Sequence, residues 1–172
     1  MGLISKVMFW RRRKSVVPVV RLNGIITHSS RLGQRGLSLE AVEPQLKKAF
    51  SVKHAKAVAL IINSPGGAPV QSSLIGQRIR DLASRADVPV LSFCEDVAAS
   101  GGYWLAASAD EIIANPASII GSIGVVSAGF GFDKAIAKLG IERRVYTAGE
   151  AKVTLDPFQP ERDEEVARLK AL

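Results

Sequence analysis

Two short segments of this chain carry residue types that can do covalent chemistry, and a third can serve them. The first is Asp96-Val97-Ala98-Ala99-Ser100-Gly101-Gly102-Tyr103-Trp104, a serine among small residues where a helix is expected to begin. A hydroxyl there gains from the positive end of the helix as negative charge develops, and the Gly101 N–H can donate to a tetrahedral oxyanion. Small neighbours let an extended substrate come close. A serine at such a place also reads as a plain helix N-cap. The second segment is Asn63-Ser64-Pro65-Gly66-Gly67, directly after an apolar run and before a helical pattern. Paired glycines there let backbone N–H groups point outward with no Cβ in the way. That suits an oxyanion hole or another anion nest, and equally a simple strand-to-helix turn.

A serine nucleophile needs a base. The only histidines are His28, in an early loop, and His54, in a charged turn, and neither has a setting that suits a Ser-His-Asp arrangement. Attention turns to a lysine, the alternative base in the Ser-Lys variant of the triad. Lys152 lies in Thr147-Ala148-Gly149-Glu150-Ala151-Lys152-Val153, after an expected strand and among small residues. Burial would favour its free amine, which can take the serine proton, whereas a solvated surface lysine is the other reading.

Other candidates are weaker. Cys94 sits in the apolar run Val90-Leu91-Ser92-Phe93-Cys94 and reads as a buried, inert thiol. Asp96 and Asp110 fit strand-end turns and helix ends. No spacing of histidine, cysteine or carboxylate suggests a metal, and nothing calls for a cofactor. Trp10 and Trp104 lack the basic and aromatic interleaving of single-strand nucleic-acid binding.

These segments have to be positioned by an alternation of strands and helices. Strands are expected at Ser15 to Ile26, with a bend at Asn23-Gly24, at Ala57 to Asn63, at Val88 to Cys94, from Glu111 to Ala114, and at Arg143 to Thr147. Helices are expected at Ser38 to Phe50, capped by Ser38 and weakened by Pro44, and at Pro69 to Ala86. The second should turn Val70, Leu74, Ile75, Ile79 and Leu82 inward, with Arg78, Arg80, Asp81 and Arg85 outward. Shorter helices follow at Gly101 to Ala109, at Phe132 to Leu139 before Gly140, and at Glu161 to Leu172. Such an order implies an α/β domain around a largely parallel sheet with right-handed crossovers.

Composition fits one domain: 172 residues, 47% apolar, enough to bury a core. Of the net charge of +7, Lys6, Arg11, Arg12, Arg13 and Lys14 supply five, so residues 1–14 form a basic, partly apolar tail and residues 15–172 the domain. A nearly neutral domain argues against a nucleic-acid partner. The tail is too short in apolar residues to span a bilayer and lacks the order of a cleavable signal. It fits either a peripheral contact with anionic lipid or a basic tail, and the expected location is the cytoplasm. The uncharged stretch from Ile112 to Phe132 is broken by Asn115, Pro116 and several glycines, and reads as buried strands joined by tight loops.

Taken together, and in this order, the Ser-Pro-Gly-Gly, Ala-Ser-Gly-Gly-Tyr and Gly-x-x-Lys segments resemble signal peptide peptidase A and its relatives, over roughly Val16 to Leu169. These are Ser-Lys peptidases with a ClpP/crotonase-type fold. The resemblance implies Ser100 as nucleophile, Lys152 as general base, and the N–H groups of Gly67 and Gly101 as oxyanion donors. Gly121-Ser122-Ile123-Gly124-Val125 resembles the family's loop and substrate strand. Ser122 would orient the lysine, and Gly66, Gly124 and Val125 would line the groove. The implied activity is hydrolysis of signal-peptide-like or unfolded peptides through an acyl-enzyme, in a ring-like homo-oligomer, a tetramer or larger. Members of the family commonly carry an N-terminal membrane helix and are longer. The expectation is therefore that part of the C-terminal region is missing here. A crotonase-type acyl-CoA enzyme and a non-catalytic, membrane-associated peptide binder are the alternatives. The first would need neither Ser100 nor Lys152.

Overall fold

The computed structural model describes residues 15–28, 36–149 and 152–171; the basic tail of residues 1–14 lies outside them. The chain divides into two compact units, Met1–Gly124 and Val125–Leu172. The first holds β1 (Val19–Asn23), α1 (Leu39–Phe50), β2 (Val58–Ser64), α2 (Pro69–Ala86), β3 (Val90–Ala99), α3 (Gly101–Ala106), β4 (Glu111–Ala114) and β5 (Ile119–Gly121). The second holds α4 (Asp133–Lys138) and α5 (Asp163–Lys170).

The sheet is parallel throughout, in the order β1-β2-β3-β4, with β5 also pairing with β3. β3 is the spine. Along one edge it meets β4 from Leu91 to Cys94 and then β5 from Val97 to Ala99. Between these two stretches, the Ser118 hydroxyl donates to the Glu95 carbonyl at 2.5 Å. β2 lies between β1 and β3 and buries Val58, Leu60 and Ile62 completely, which is why it reads as an unbroken apolar run. The sequence ends β3 too early. The strand continues through Asp96 to Ala99, so the segment leading into Ser100 is sheet rather than loop.

α1 begins as expected, with the Ser38 hydroxyl accepting the Ala41 N–H at 3.2 Å. It buries Val42, Leu46, Ala49 and Phe50 and tolerates Pro44 inside the helix, where the proline deletes only one N–H donor. α2 starts at Pro69, whose fixed φ and absent N–H cost nothing at a first helical position. Its buried stripe is Gln71, Ser72, Ile75, Gly76, Ile79 and Ala83. Two residues expected inside are not: Val70 is 69% and Leu74 38% exposed, because the stripe that meets α1 and α3 is narrower than the apolar pattern. Small residues fill the difference. A Cβ at Gly76 would press on the Trp104 indole at 3.2 Å, so α2 and α3 meet closely here.

Arg78, read as outward, lies instead in the seam between α1 and α2. Its guanidinium donates to both oxygens of Glu43, at 2.7 to 3.1 Å, and Lys47 adds a contact at 3.0 Å. The Arg78 hydrogen bonds pull the Glu43 carboxyl from 4.5 down to about 2. Because the folded value lies below the unfolded one, the pair's stabilisation is complete above roughly pH 4.5 and is lost as the pH falls through about 2. Glu43→Gln is therefore expected to flatten the fall in urea midpoint across that window while lowering the midpoint at pH 7; an unchanged acid limb would contradict this.

Two further expectations are corrected. β4 and β5 form where the uncharged stretch predicts strands, yet both are largely exposed rather than buried: Ile112 and Ile113 are each 40% and Ile119 66% accessible. They sit along the outer edge of the sheet, where only one neighbour covers them. Residues 143–147, expected as a strand, are irregular. A strand needs a partner ladder for its N–H and C=O groups, and no described residue of the second unit supplies one.

Candidate active site

Ser100 follows β3 without a break and opens α3. It stands at φ 51°, ψ −122°, a backbone region that a side chain disfavours, and its hydroxyl makes no capping hydrogen bond to the helix. Ser100 thus holds the N-cap position through its backbone, its carbonyl accepting the Trp104 N–H at 3.0 Å, while its hydroxyl does not cap. A strand that delivers a serine at positive φ onto the first turn of a helix holds the hydroxyl clear of its own backbone.

Neighbouring backbone fixes this turn. The Ser100 N–H donates to the Gly121 carbonyl at 2.7 Å, extending the pairing of Ala99 with Gly121 by one bond. On the other side lies Gly66, at φ +96°. A Cβ there would stand 2.7 Å from the Gly101 nitrogen, 2.8 Å from the Ala99 oxygen and 2.8 Å from the Ser100 Cβ. Only glycine lets the two turns touch. Gly101 and Gly102 are pressed in the same way, against the Ser72 hydroxyl and the Ser64 carbonyl respectively.

The geometry of Gly67 follows from its ladder. Ile26 donates to the Gly66 carbonyl and accepts from Ala68, both at 2.9 Å, so the bridge between Ile26 and Gly67 leaves the Gly67 N–H out of the pairing. The Gly101 N–H is the first of α3, one of the donors that no helix can satisfy internally. The N–H groups of Gly67 and Gly101 are thus free of backbone partners among the described residues. Gly66 and Gly101 are buried, Ser100 is half-buried and Gly67 is exposed, so the site opens to solvent on the Gly67 side.

Sequence reasoning gave Ser64 and Ser72 no role. Ser64 is fully buried. Its hydroxyl donates to the Gly24 carbonyl at 2.7 Å and accepts the Gly66 N–H at 3.2 Å, which sets the turn into the glycine pair. Ser72 spends its hydroxyl on the Ala68 carbonyl at 3.0 Å and walls Gly101. A serine closing an otherwise apolar strand, such as Ser64 at the end of β2, is the signal that was available.

The remaining predicted residues are placed as follows. Ser122, at φ 53°, and Gly124, at φ +153°, are exposed and continue from β5. Val125 and Lys152 belong to the second unit, and Val125 is 82% exposed. Lys152 is exposed, which corrects the burial expected for it; the loop of residues 152–154 that bears it is itself exposed. His28 and His54 both occupy exposed turns. Cys94 is buried, as expected, and burial raises its thiol pKa, whereas Asp96, expected at a strand-end turn or helix end, lies inside β3. Asp110 accepts the Val90 N–H at 2.7 Å and pairs with Arg80. Asp96 accepts from the Asn63 amide at 2.9 Å, tying β2 to β3 where their register shifts.

Comparison with known proteins places this geometry. Residues 83–172 match peptidase family S49. A Brucella melitensis protein named Na(+)/H(+) antiporter NhaA is 58% identical over 173 residues, which cover 99% of this chain and 24% of that protein. The chloroplastic serine protease SPPA of Arabidopsis thaliana is 34% identical over 156 residues, 86% of this chain and 23% of that one. The chain thus spans about a quarter of the length of these relatives, and the antiporter name is that of the longer protein. Among the described residues no helix is long and apolar enough to cross a membrane. In fold, the chain is similar to the solved structure of a serine-to-alanine mutant of the 1510-N membrane-bound stomatin-specific protease, with a TM-score of 0.51 at 22% identity over 69% of this chain and 52% of that one. The match to the family covers more than half of the chain and includes the strained serine turn: this chain belongs to peptidase family S49.

Proposed function

We propose that this chain is the catalytic part of a serine peptidase that cleaves extended peptides through an acyl-enzyme on Ser100. The observation that carries the reading is the turn at Ser100, with its hydroxyl uncommitted to the helix and two unladdered N–H groups, of Gly67 and Gly101, beside it. The Ser100 oxygen attacks the scissile carbonyl carbon while Lys152 takes the hydroxyl proton. Negative charge gathers on the carbonyl oxygen, which accepts from Gly67 and Gly101. Collapse breaks the C–N bond, and the departing amine takes the proton from Lys152. Water then attacks the Ser100 ester with Lys152 again as base, releasing the acid and restoring the hydroxyl. Ser122 orients the lysine. Gly66, Gly124 and Val125 line the groove for a peptide with small or apolar side chains at the scissile bond. In this reading the enzyme works as a homo-oligomer in the cytoplasm, with the basic tail against the membrane face.

A fluorophosphonate probe tests the nucleophile directly, since attack on phosphorus displaces fluoride and leaves a stable adduct. Digestion of the labelled chain is expected to place the adduct on Ser100 alone. Absence of any adduct, or an adduct on another serine, would remove the reading.

A further inference from the structure

The second unit contains a buried charge that the proposed reaction does not use. Glu165, on the first turn of α5, is 8% exposed. Its Oε2 accepts the Leu155 N–H at 3.0 Å, and its other oxygen pairs with Arg162. Leu155 stands at φ 54°, in the left-handed region that leucine disfavours, and lies three residues after Lys152. The following turn is held as firmly. The Asp156 carboxylate, 5% exposed, accepts the Phe158 N–H at 3.0 Å and pairs with Arg143 at 3.1 Å, and the Pro157 carbonyl accepts the Phe132 N–H at 2.6 Å. Phe158 stacks on Phe132 at 5.6 Å and carries the Arg143 guanidinium over its ring.

A surface glutamate at the third position of a helix usually reaches back to its own cap residue. This one gives one oxygen to the side chain of its cap residue, Arg162, and the other to the N–H of Leu155, ten positions earlier, at the one strained point of the segment. A backbone held against its preference must be held by something. Leu155 needs an acceptor for its N–H in that conformation, and Glu165 is the acceptor.

We infer that Glu165 is a positioning residue for the lysine, fixing the far end of the loop that carries Lys152 so that the amine is presented from one backbone conformation. This rests on the reading of Lys152 as base. The carboxylate holds Leu155 and touches neither substrate nor serine. Both the Leu155 N–H and Arg162 lower the Glu165 pKa, so the clamp is charged at neutral pH.

The test compares wild type, Glu165→Ala, Glu165→Gln and Lys152→Ala in the full chain, by peptide turnover, probe labelling, thermal melting and hydrogen exchange at the Leu155 amide. Lys152→Ala is expected to be silent. Glu165→Ala is expected to lose about tenfold or more in kcat, since small misplacements of a catalytic group are costly, with KM within twofold. The Leu155 amide should lose its protection. Glu165→Gln keeps an acceptor oxygen and should recover most of the rate and the protection. If Lys152→Ala labels normally, the base reading fails whatever Glu165 does. If Lys152→Ala is silent but Glu165→Ala turns over at the wild-type rate, the base stands and the positioning role falls. Equal losses in the Ala and Gln variants that track their melting temperatures would reduce Glu165 to a structural residue and overturn the inference.

Discussion

Ser100→Ala is expected to lose peptide hydrolysis by a factor on the order of 10⁴ or more, and to lose probe labelling outright, while folding as the wild type does. The size follows from removing a nucleophile outright, which eliminates the covalent route and leaves only what the oxyanion donors and binding provide. The intact fold follows from the site: the hydroxyl makes no cap bond, and alanine meets the same backbone preference at φ 51° that serine already bears. A melting temperature within about 2 °C of wild type is the control, because a change in stability of a few tenths of a kcal/mol shifts it no further. Lys152→Ala should behave alike, as the side chain is exposed and its removal uncovers no core. Persistent turnover in a folded Ser100→Ala chain would move the chemistry to another residue.

Gly66→Ala has the second largest expected effect, although it adds no charge and removes no hydrogen bond. The new methyl carbon would stand under 3 Å from three atoms of the Ala99–Gly101 turn, at a φ of +96° that alanine resists. Either Gly66 moves, taking the Gly67 donor with it, or Ser100 moves. A shift of about 1 Å in such a constellation costs roughly 10²-fold. The backbone conformation adds about 1–3 kcal/mol of destabilisation. Gly129→Ala is the matched control, with open space around the position and an expected change near zero in both measurements. Labelling of Gly66→Ala at the wild-type rate would mean that the close contact between the two turns plays no part in catalysis.

How far the sequence discloses this molecule can be judged at single residues. β2 is legible because burial on both faces makes it continuously apolar, and α1 because Ser38 and its apolar spacing agree. Ser100, Gly66 and Gly67 stand out in the sequence by residue type, but the contacts that shape their turns, Gly66 against the Ala99–Gly101 turn and Gly67 against Ile26, join distant parts of the chain. What the sequence hides depends on distant partners. Leu74 and Arg78 exchange their expected exposure because α1 places Glu43 opposite Arg78, thirty-five positions away. Residues 143–147 have strand-like composition but no ladder in their unit, so pattern alone mispredicts them. Glu165 looks like any glutamate of a charged helix until Leu155 is brought to it.

The bond from Ser100 to Gly121 also sets a timetable. The carbonyl that holds the serine turn comes from the last strand of the sheet, twenty-one residues further along the chain. A ribosome that has released everything through α3 has therefore delivered a serine whose turn still lacks this hydrogen bond. The turn gains this bond only when Ile119–Gly121 docks beside Val97–Ala99. Among the elements of the first unit, the last strand, β5, must therefore be made before the turn at Ser100 holds its backbone bond to Gly121.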